Sequence, residues 1–435
     1  MKKITSYSRD FLLVVAGQII SLFGNQILVF ILPLYLLNQT HSAVLFGFIS
    51  AAAFLPLVVL CPIGGIMADR LNKRNIMVFL DFSTSLITLL LALLLGRLDL
   101  SLLVLIALVL FYAIQGTYQP AVTSSIPALV PEENLVQANA AITLVNAMAG
   151  LLGPIIGGSL YAFFGIYPIL IIGIICFFAS AVMELFIHIP FVRRESQENI
   201  FRTGYGDLKE SFYFIRKKQP TIWKVSLIVA LINLFLSSLI IIGLPVIITQ
   251  YLDFSVSTGN RLYGYAQGIM GLGSLAGGIM TGVLSRKLKV GQNPWILTLC
   301  GLSVLIMGVA TAIPGQPMIS FCLLALGCFI LFFLVSLFSI QMMAYLQMMT
   351  PPELTGKVIS CAMCIGMCSH PLGQAFYGTL FELFASAPSF IFYLSAVITV
   401  IIALFSRNVF RDVEALFVTD ETSSIGSEIL LGQPE

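Results

Sequence analysis

Four ionisable side chains, Asp81, Glu184, His188 and His370, sit within or at the edge of apolar runs long enough to cross a bilayer. A charge near the bilayer centre costs about 2.5–3.5 kcal/mol on insertion scales, so each needs a partner or a task. The chemistry open to them is binding and releasing protons. Asp81 is either a protonation site or a partner for Arg70 or Arg74. Glu184 and His188 are one turn apart, spaced to form a local pair or a relay. His370 lies mid-run beside Pro371 and one turn before Gln374, and an unperturbed imidazole titrates near pH 6.5. Cys361, Cys364 and Cys368 share a helix face near His370, but packing explains them better than metal ligation, and no metal or cofactor is expected. The chain has three histidines, His41, His188 and His370, and they do not cluster as an intramembrane hydrolase would need. An enzyme is not expected.

The elements that must hold these groups are apolar helices. Of 435 residues, 58% are hydrophobic and 10% charged, a composition foreign to soluble domains. About 20 apolar residues span the roughly 30 Å hydrocarbon core. Runs of that kind fall at 11–37, 42–68, 75–96, 100–121, 135–165, 167–190, 221–250, 262–285, 292–313, 317–348, 356–386 and 388–407. Twelve crossings put both termini on one side. All but Arg97 and Arg261 of the 22 Lys and Arg then lie on that side, which makes it the cytoplasm. The expectation is an all-α, multi-pass protein of the plasma membrane with both termini cytoplasmic. The first apolar run is longer than the core of a cleaved signal peptide and is expected to remain as helix one. Eight cysteines, all on predicted helices, read as small apolar residues rather than a disulfide framework. The net charge of +2 and the scatter of basic residues at helix ends give no nucleic-acid footprint. The partners expected are the bilayer, a small amphipathic substrate and protons, and the chain is expected to act as a monomer.

The longest polar insertion, 191–220, divides the sequence into bundles of six helices, 1–190 and 221–407. Leu208, Phe212 and Ile215 mark one face of a short helix there, suited to the cytoplasmic interface. The acidic, Ser-rich tail, 408–435, is expected to be disordered. The two halves echo each other. Gly64-Gly65-Ile66-Met67 returns as Gly277-Gly278-Ile279-Met280, each followed by a basic pair, Lys73-Arg74 and Arg286-Lys287. Glu133, Gly153, Gly158 and Leu160 return as Glu353, Gly373, Gly378 and Leu380, and Pro33 as Pro245. Parallel repeats related by an axis along the membrane normal describe a transporter that rocks about a central site.

The segment Gly65, Asp69, Arg70, Lys73 and Arg74 resembles the signature loop between helices two and three of the major facilitator superfamily, Gly-x-x-x-Asp-Arg-x-Gly-Arg-Arg/Lys. Asn72 replaces the family's Gly; Asn tolerates the left-handed backbone of a tight turn. Lys73 replaces an Arg and loses a bidentate donor. The resemblance implies a fold of two pseudo-symmetric six-helix bundles. It also implies a cytoplasmic gate in which Asp69 meets the start of helix eleven near Thr355 to Lys357. Gly153, Pro154, Gly157 and Gly158 resemble the Gly-Pro-x-x-Gly-Gly signature that antiporters of the superfamily carry in helix five, where proline removes a backbone donor and kinks the helix. That implies export.

Ala16-Gly17-Gln18, Phe54-Leu55-Pro56, the stretch from Pro120 through Ile126-Pro127-Ala128-Leu129-Val130-Pro131-Glu132-Glu133 to Ala138-Asn139-Ala140, and Gly356-Lys357-Val358 are most similar to the macrolide-efflux and enterobactin-exporter branch. One feature departs: Tyr112 stands where many drug–proton antiporters have an Arg four residues before a glycine, here Gly116.

Polar side chains expected to line the substrate cavity are Gln18, Asn25, Gln26, Gln115, Asn146, Asn233, Gln267, Gln341, Tyr345 and Gln374, some of which serve instead as interhelical glue. The proton-coupling candidates are His370, Asp81 and Glu184. The expected activity is proton-coupled export of an amphipathic, drug-like small molecule by alternating access. Alternatives are a siderophore, lipid or metabolite facilitator of the same fold, and, from another class, a receptor that binds without flux.

Overall fold

The computed structural model describes residues 9–189, 210, 212–284, 290–351 and 354–431. It is all-α, with no strand among the described residues. Twelve long helices follow in order: α1 Arg9–Thr40, α2 Ala43–Arg70, α3 Lys73–Leu94, α4 Leu100–Leu129, α5 Leu135–Phe164, α6 Ile166–Glu184, α7 Pro220–Tyr251, α8 Val256–Leu284, α9 Asn293–Thr311, α10 Pro317–Met348, α11 Thr355–Leu383 and α12 Pro388–Leu431. Among the described residues, eleven are long and apolar enough to cross a membrane; α11, which carries Lys357, His370, Gln374 and Glu382, is not among them.

The short turns obey local chemistry. Ser42 caps α2 by accepting from the Leu45 amide, Asn72 caps α3 from the Arg74 amide, and Asp99 caps α4 from the Leu102 amide. Asn72 has φ −66°, so the left-handed turn expected there does not form; the amide side chain is used as a cap instead. Gly165, with φ +74°, turns α5 into α6, a backbone conformation that glycine adopts without penalty. Pro294 and Pro317 sit in the first turns of α9 and α10, where a missing N–H costs nothing. Helix α4 runs to Leu129, past the expected stop at 121, and takes in Pro120 and Pro127. One π-helical turn, Asn233–Ser237, interrupts α7, and a second, Ile247–Tyr251, ends it.

Two compact units contain these helices. The first comprises residues 1–205, 238–271 and 370–386. In it α1 packs on α5 and α6, α2 on α4, and α3 on α6. Lipid tails are as apolar as leucine, so close backbone approach has to hold such helices together. At Gly64 a Cβ would lie 2.6 Å from the Gly116 carbonyl oxygen, which is why α2 and α4 can touch along their backbones. An apolar cluster around Phe11, Val14, Met77, Ile126 and Ile187 fills the end of this unit that carries the α2–α3 turn.

The second unit comprises residues 206–237, 272–369 and 387–435. Its centre is α9, packed on α10 and α12. The interfacial helix expected within 191–220 lies mostly outside the described residues. Its described end is a π-helical turn, Phe214–Lys218, and Phe214 and Ile215 are buried against Leu346 and Val358. The tail expected to be disordered from 408 is helical backbone as far as Leu431. Phe410, fully buried and edge-on to Phe338 at 6.2 Å, anchors the start of that extension.

Candidate functional site

The buried polar side chains of the first unit converge at one place. Gln18 and Ser21 share a face of α1, Asp81 comes from α3, Tyr118 from α4, and Ser180 and Glu184 share a face of α6. All six are buried. Gly17 lets α6 approach: a Cβ there would meet Ser180 Oγ at 3.3 Å, and that hydroxyl donates to the Gly17 carbonyl at 3.1 Å. Ser21 Oγ donates to Asp81 Oδ1 at 2.8 Å. Tyr118 Oη donates to Glu184 Oε1 at 2.6 Å and accepts from Gln18 Nε2 at 2.9 Å. Asp81 Oδ2, Glu184 Oε2 and Gln18 Oε1 are buried with no hydrogen-bond partner among the described residues. Beside them lies a cavity of about 20 Å³ lined by Asn25, Asp81, Gln115, Tyr118 and Gln119 among others. That is room for a single water with polar neighbours.

Two of the pairings the sequence allows, Asp81 with Arg74 and Glu184 with His188, are not formed among the described residues. Asp81 is bonded to Ser21 rather than to Arg74. Arg74 reaches the far end of α6, where Nε donates to the Glu184 carbonyl at 3.4 Å and Nη2 donates to the Leu185 carbonyl. It therefore caps a helix C-terminus, where cations are favoured. Glu184 does not pair with His188, because α6 ends at Glu184 and the one-turn spacing no longer places both side chains on a helix face. The His188 amide donates instead to Asp10 Oδ1 at 3.1 Å.

Of the expected gate residues, Arg70 ends α2 half-buried, and Lys73 and Arg74 open α3. The surroundings of Gly65 and Asp69 lie outside the described residues. In α5, Gly153 packs on Gln26 of α1, where a Cβ would meet the Gln26 Cβ at 2.8 Å, and Gly157 packs on Ile27. Gly158 faces Asn260 and Gly264 of α8. The proline-glycine segment thus serves two helix contacts at once.

The other polar positions divide. Asn25 and Gln115 line the small cavity. Gln119 Nε2 donates to Asn146 Oδ1 at 3.2 Å and ties α4 to α5. Gln267 donates to its own helix neighbour Tyr263. Gln374 is buried with Oε1 unpartnered. In the second unit Asn233, within the first π turn of α7, donates to the Gly366 carbonyl at 3.1 Å, and Gln341 accepts from Asn293 at 3.1 Å. Tyr345 is fully buried. His370 lies 5.6 Å from the Phe54 ring, with Nδ1 unpartnered, and Phe54 in turn meets Tyr112 edge-on at 5.7 Å. Tyr112, at the position of the absent arginine, therefore packs on an aromatic ring. A larger groove of about 460 Å³, lined by Leu299, Leu302, Phe329 and Phe333, lies elsewhere, in the second unit, and is almost wholly apolar.

Tyr118, Ser21 and Ser180 are not among the residues the sequence singles out, and Gln18, expected to line the cavity, is buried against Tyr118 inside the bundle. The signal was present: Gly17-Gln18 with Ser21, and Ser180 with Glu184, are small-polar faces at helical spacing. Among the described residues no group of His, Cys, Asp or Glu is disposed to hold a metal ion, and none of the eight cysteines forms a disulfide.

Comparison with known proteins places the geometry in context. The family model described as Major Facilitator Superfamily matches residues 14–369. Macrolide efflux protein A of Streptococcus pyogenes is 24% identical over 380 residues, covering 86% of this chain and 89% of that protein. The MFS-type transporter YfiS of Bacillus subtilis is 24% identical over 373 residues, covering 84% and 85%. Among solved structures, a POT family transporter in complex with 5-aminolevulinic acid superposes with a TM-score of 0.74 at 13% identity, over 95% of this chain and 98% of that one. A bacterial metal transporter superposes with a TM-score of 0.64 at 20% identity, over 94% and 99%.

Proposed function

The chain belongs to the Major Facilitator Superfamily and is a membrane transporter, not an enzyme, and from that premise we propose that it exports an amphipathic small molecule across the plasma membrane, driven by the proton gradient. The observation that carries this reading is the pair of buried carboxyls, Asp81 and Glu184, with no cation among the described residues bonded to either. Charges are not left uncompensated in such a place without a function. Export is supported by the Gly153 to Gly158 segment of α5 and by the likeness to macrolide efflux protein A.

In this reading both termini are cytoplasmic, and the bundles 1–190 and 221–407 rock to expose the substrate path to each side in turn. The loop from Gly65 to Arg74 closes the cytoplasmic end. The substrate meets a subset of Gln18, Asn25, Gln26, Gln115, Asn146, Asn233, Gln267, Gln341, Tyr345 and Gln374, the others tying helices together. His370, Asp81 and Glu184 are the groups available for coupling, and the transporter works as a monomer.

The test is reconstitution in proteoliposomes with an imposed proton gradient and radiolabelled erythromycin as the probe. Accumulation that a protonophore abolishes is expected. Accumulation indifferent to the gradient would remove the coupled reading.

A further inference from the structure

We infer that Asp81, Glu184, Tyr118 and Gln18 form one buried proton-binding site inside the first bundle, with the two carboxyls acting as a unit. The inference deepens the coupled-transport reading and rests on it for its place in the transport cycle.

Among the described residues, the side chains facing these carboxyls are Ser21, Tyr118, Ser180 and each other, and none is a cation. From α1 come neutral Gln18 and Ser21, from α3 Asp81, from α4 Tyr118, and from α6 Ser180 and Glu184. Arg74 bonds backbone carbonyls at the end of α6 and not the carboxyls. Two negative charges in one dry site repel each other and each loses its hydration. Binding a proton removes one of them. The step is simple: an O–H bond forms on a carboxylate oxygen, no carbon–oxygen bond changes, and release returns the proton to water.

The geometry offers both states a place. Ser21 and Tyr118 each donate to one oxygen of their carboxyl, as the ionised form requires. The second oxygen of each, Asp81 Oδ2 and Glu184 Oε2, is open to take the proton. Gln18 is a second, independent observation that the site holds an uncommitted acceptor. It is fully buried, its Nε2 is committed to Tyr118, and its Oε1 accepts nothing. The water-sized cavity beside Asp81 runs past Gln115 and Gln119, and Gln119 is bonded to Asn146 of α5. A sodium ion suits the site less well, because the hydroxyls of Ser21 and Tyr118 point hydrogens, not lone pairs, at the carboxyls.

Infrared difference spectra of the full chain in lipid, recorded between acidic and alkaline buffer without substrate, test the site directly. A protonated-carboxyl C=O band is expected that vanishes on alkalinisation, is unaffected by sodium at fixed pH, disappears in Asp81→Asn and in Glu184→Gln, and shifts in Tyr118→Phe. If either acid variant fails to give a monodisperse protein, Tyr118→Phe, which keeps the ring and removes only the hydroxyl, decides. Absence of the band in the native chain, an unchanged band in the variants, or its loss on adding sodium alone would each overturn the inference. A native band combined with erythromycin accumulation blind to the gradient would strike the coupled-export reading and leave the proton site standing.

Discussion

Gly158 on α5 and Gly264 on α8 meet backbone to backbone: a Cβ on Gly264 would lie 2.5 Å from the Pro154 carbonyl oxygen and 3.3 Å from the Gly158 Cα. The same relationship recurs between α2 and α11, where a Cβ on Gly47 would lie 2.6 Å from the Gln374 carbonyl oxygen and 2.8 Å from the Gly378 Cα. Gly158 and Gly378 are among the residues that repeat between the sequence halves, so the internal symmetry is expressed as two matching contacts. Asn38 donating to Asn260 at 2.8 Å and Phe30 stacked on Tyr263 at 4.8 Å reinforce the α1–α8 side of the same unit.

Gly264→Val is therefore expected to force α8 away from α5. Overpacking of a tight contact costs about 1–3 kcal/mol, and here the obstacle is backbone that has no rotamer to yield. The expected result is a lower thermal unfolding midpoint in detergent together with strongly reduced transport. Gly150→Val, at a position with nothing within 4 Å of a Cβ, is the control on the same helix. Equal behaviour of the two variants would show that the close approach is immaterial.

Arg74→Gln removes the charge that caps α6. A cation at a helix C-terminus contributes about 0.3–1 kcal/mol, and the carbonyls of Glu184 and Leu185 lose their shared donor. Because Glu184 is both the capped residue and half of the carboxyl pair, the pH profile of transport is expected to move along with stability. A stability loss with an unmoved profile would separate the α2–α3 turn from the acid site.

Asp69→Asn is expected to lower transport while membrane insertion stays intact, since the change removes a charge from the proposed gate and leaves the apolar part of α2 untouched. Flux in proteoliposomes, normalised to inserted protein, is the measurement. Unchanged flux would reduce the loop to a topological signal.

Glu382 and Ser42 make a modest latch at the opposite end of α2. Glu382 Oε2 accepts from Ser42 Oγ at 3.3 Å and from the Val44 amide at 3.4 Å. Glu382 is exposed, and it also caps a helix N-terminus. Glu382→Gln should cost no more than about 1 kcal/mol, given that exposure, a difference readable in thermal unfolding midpoints at low salt and expected to shrink as salt is added.

The helices, their order and the intramembrane ionisable residues were legible because apolar length and isolated charge are one-dimensional signals. The partners of those residues were not. Asp81 finds Ser21 on α1 and Glu184 finds Tyr118 on α4, and which faces meet depends on how each helix is rotated about its axis. In a helix apolar all round, hydrophobic periodicity carries little of that information. Arg74 misled for a related reason: it is close in sequence to Asp81, but the helix it serves is α6. The π turn at Asn233 is equally silent in sequence; it sets the Asn233 amide where it donates to the Gly366 carbonyl.

His370 and the carboxyl pair make the sharpest contrast. His370 lies on α11 against Phe54 of α2, with one ring nitrogen unpartnered, whereas Asp81 and Glu184 are enclosed by α1, α3, α4 and α6. If the pair carries the coupling proton, Glu184→Gln should abolish the dependence of accumulation on the proton gradient while substrate exchange between equilibrated compartments persists. His370→Ala should alter the pH profile by loosening the α11–α2 contact and leave gradient-driven accumulation in place. The two variants are compared in the same proteoliposomes, with accumulation and counterflow measured side by side. The reverse outcome, gradient dependence lost in His370→Ala and kept in Glu184→Gln, would move the coupling proton to α11.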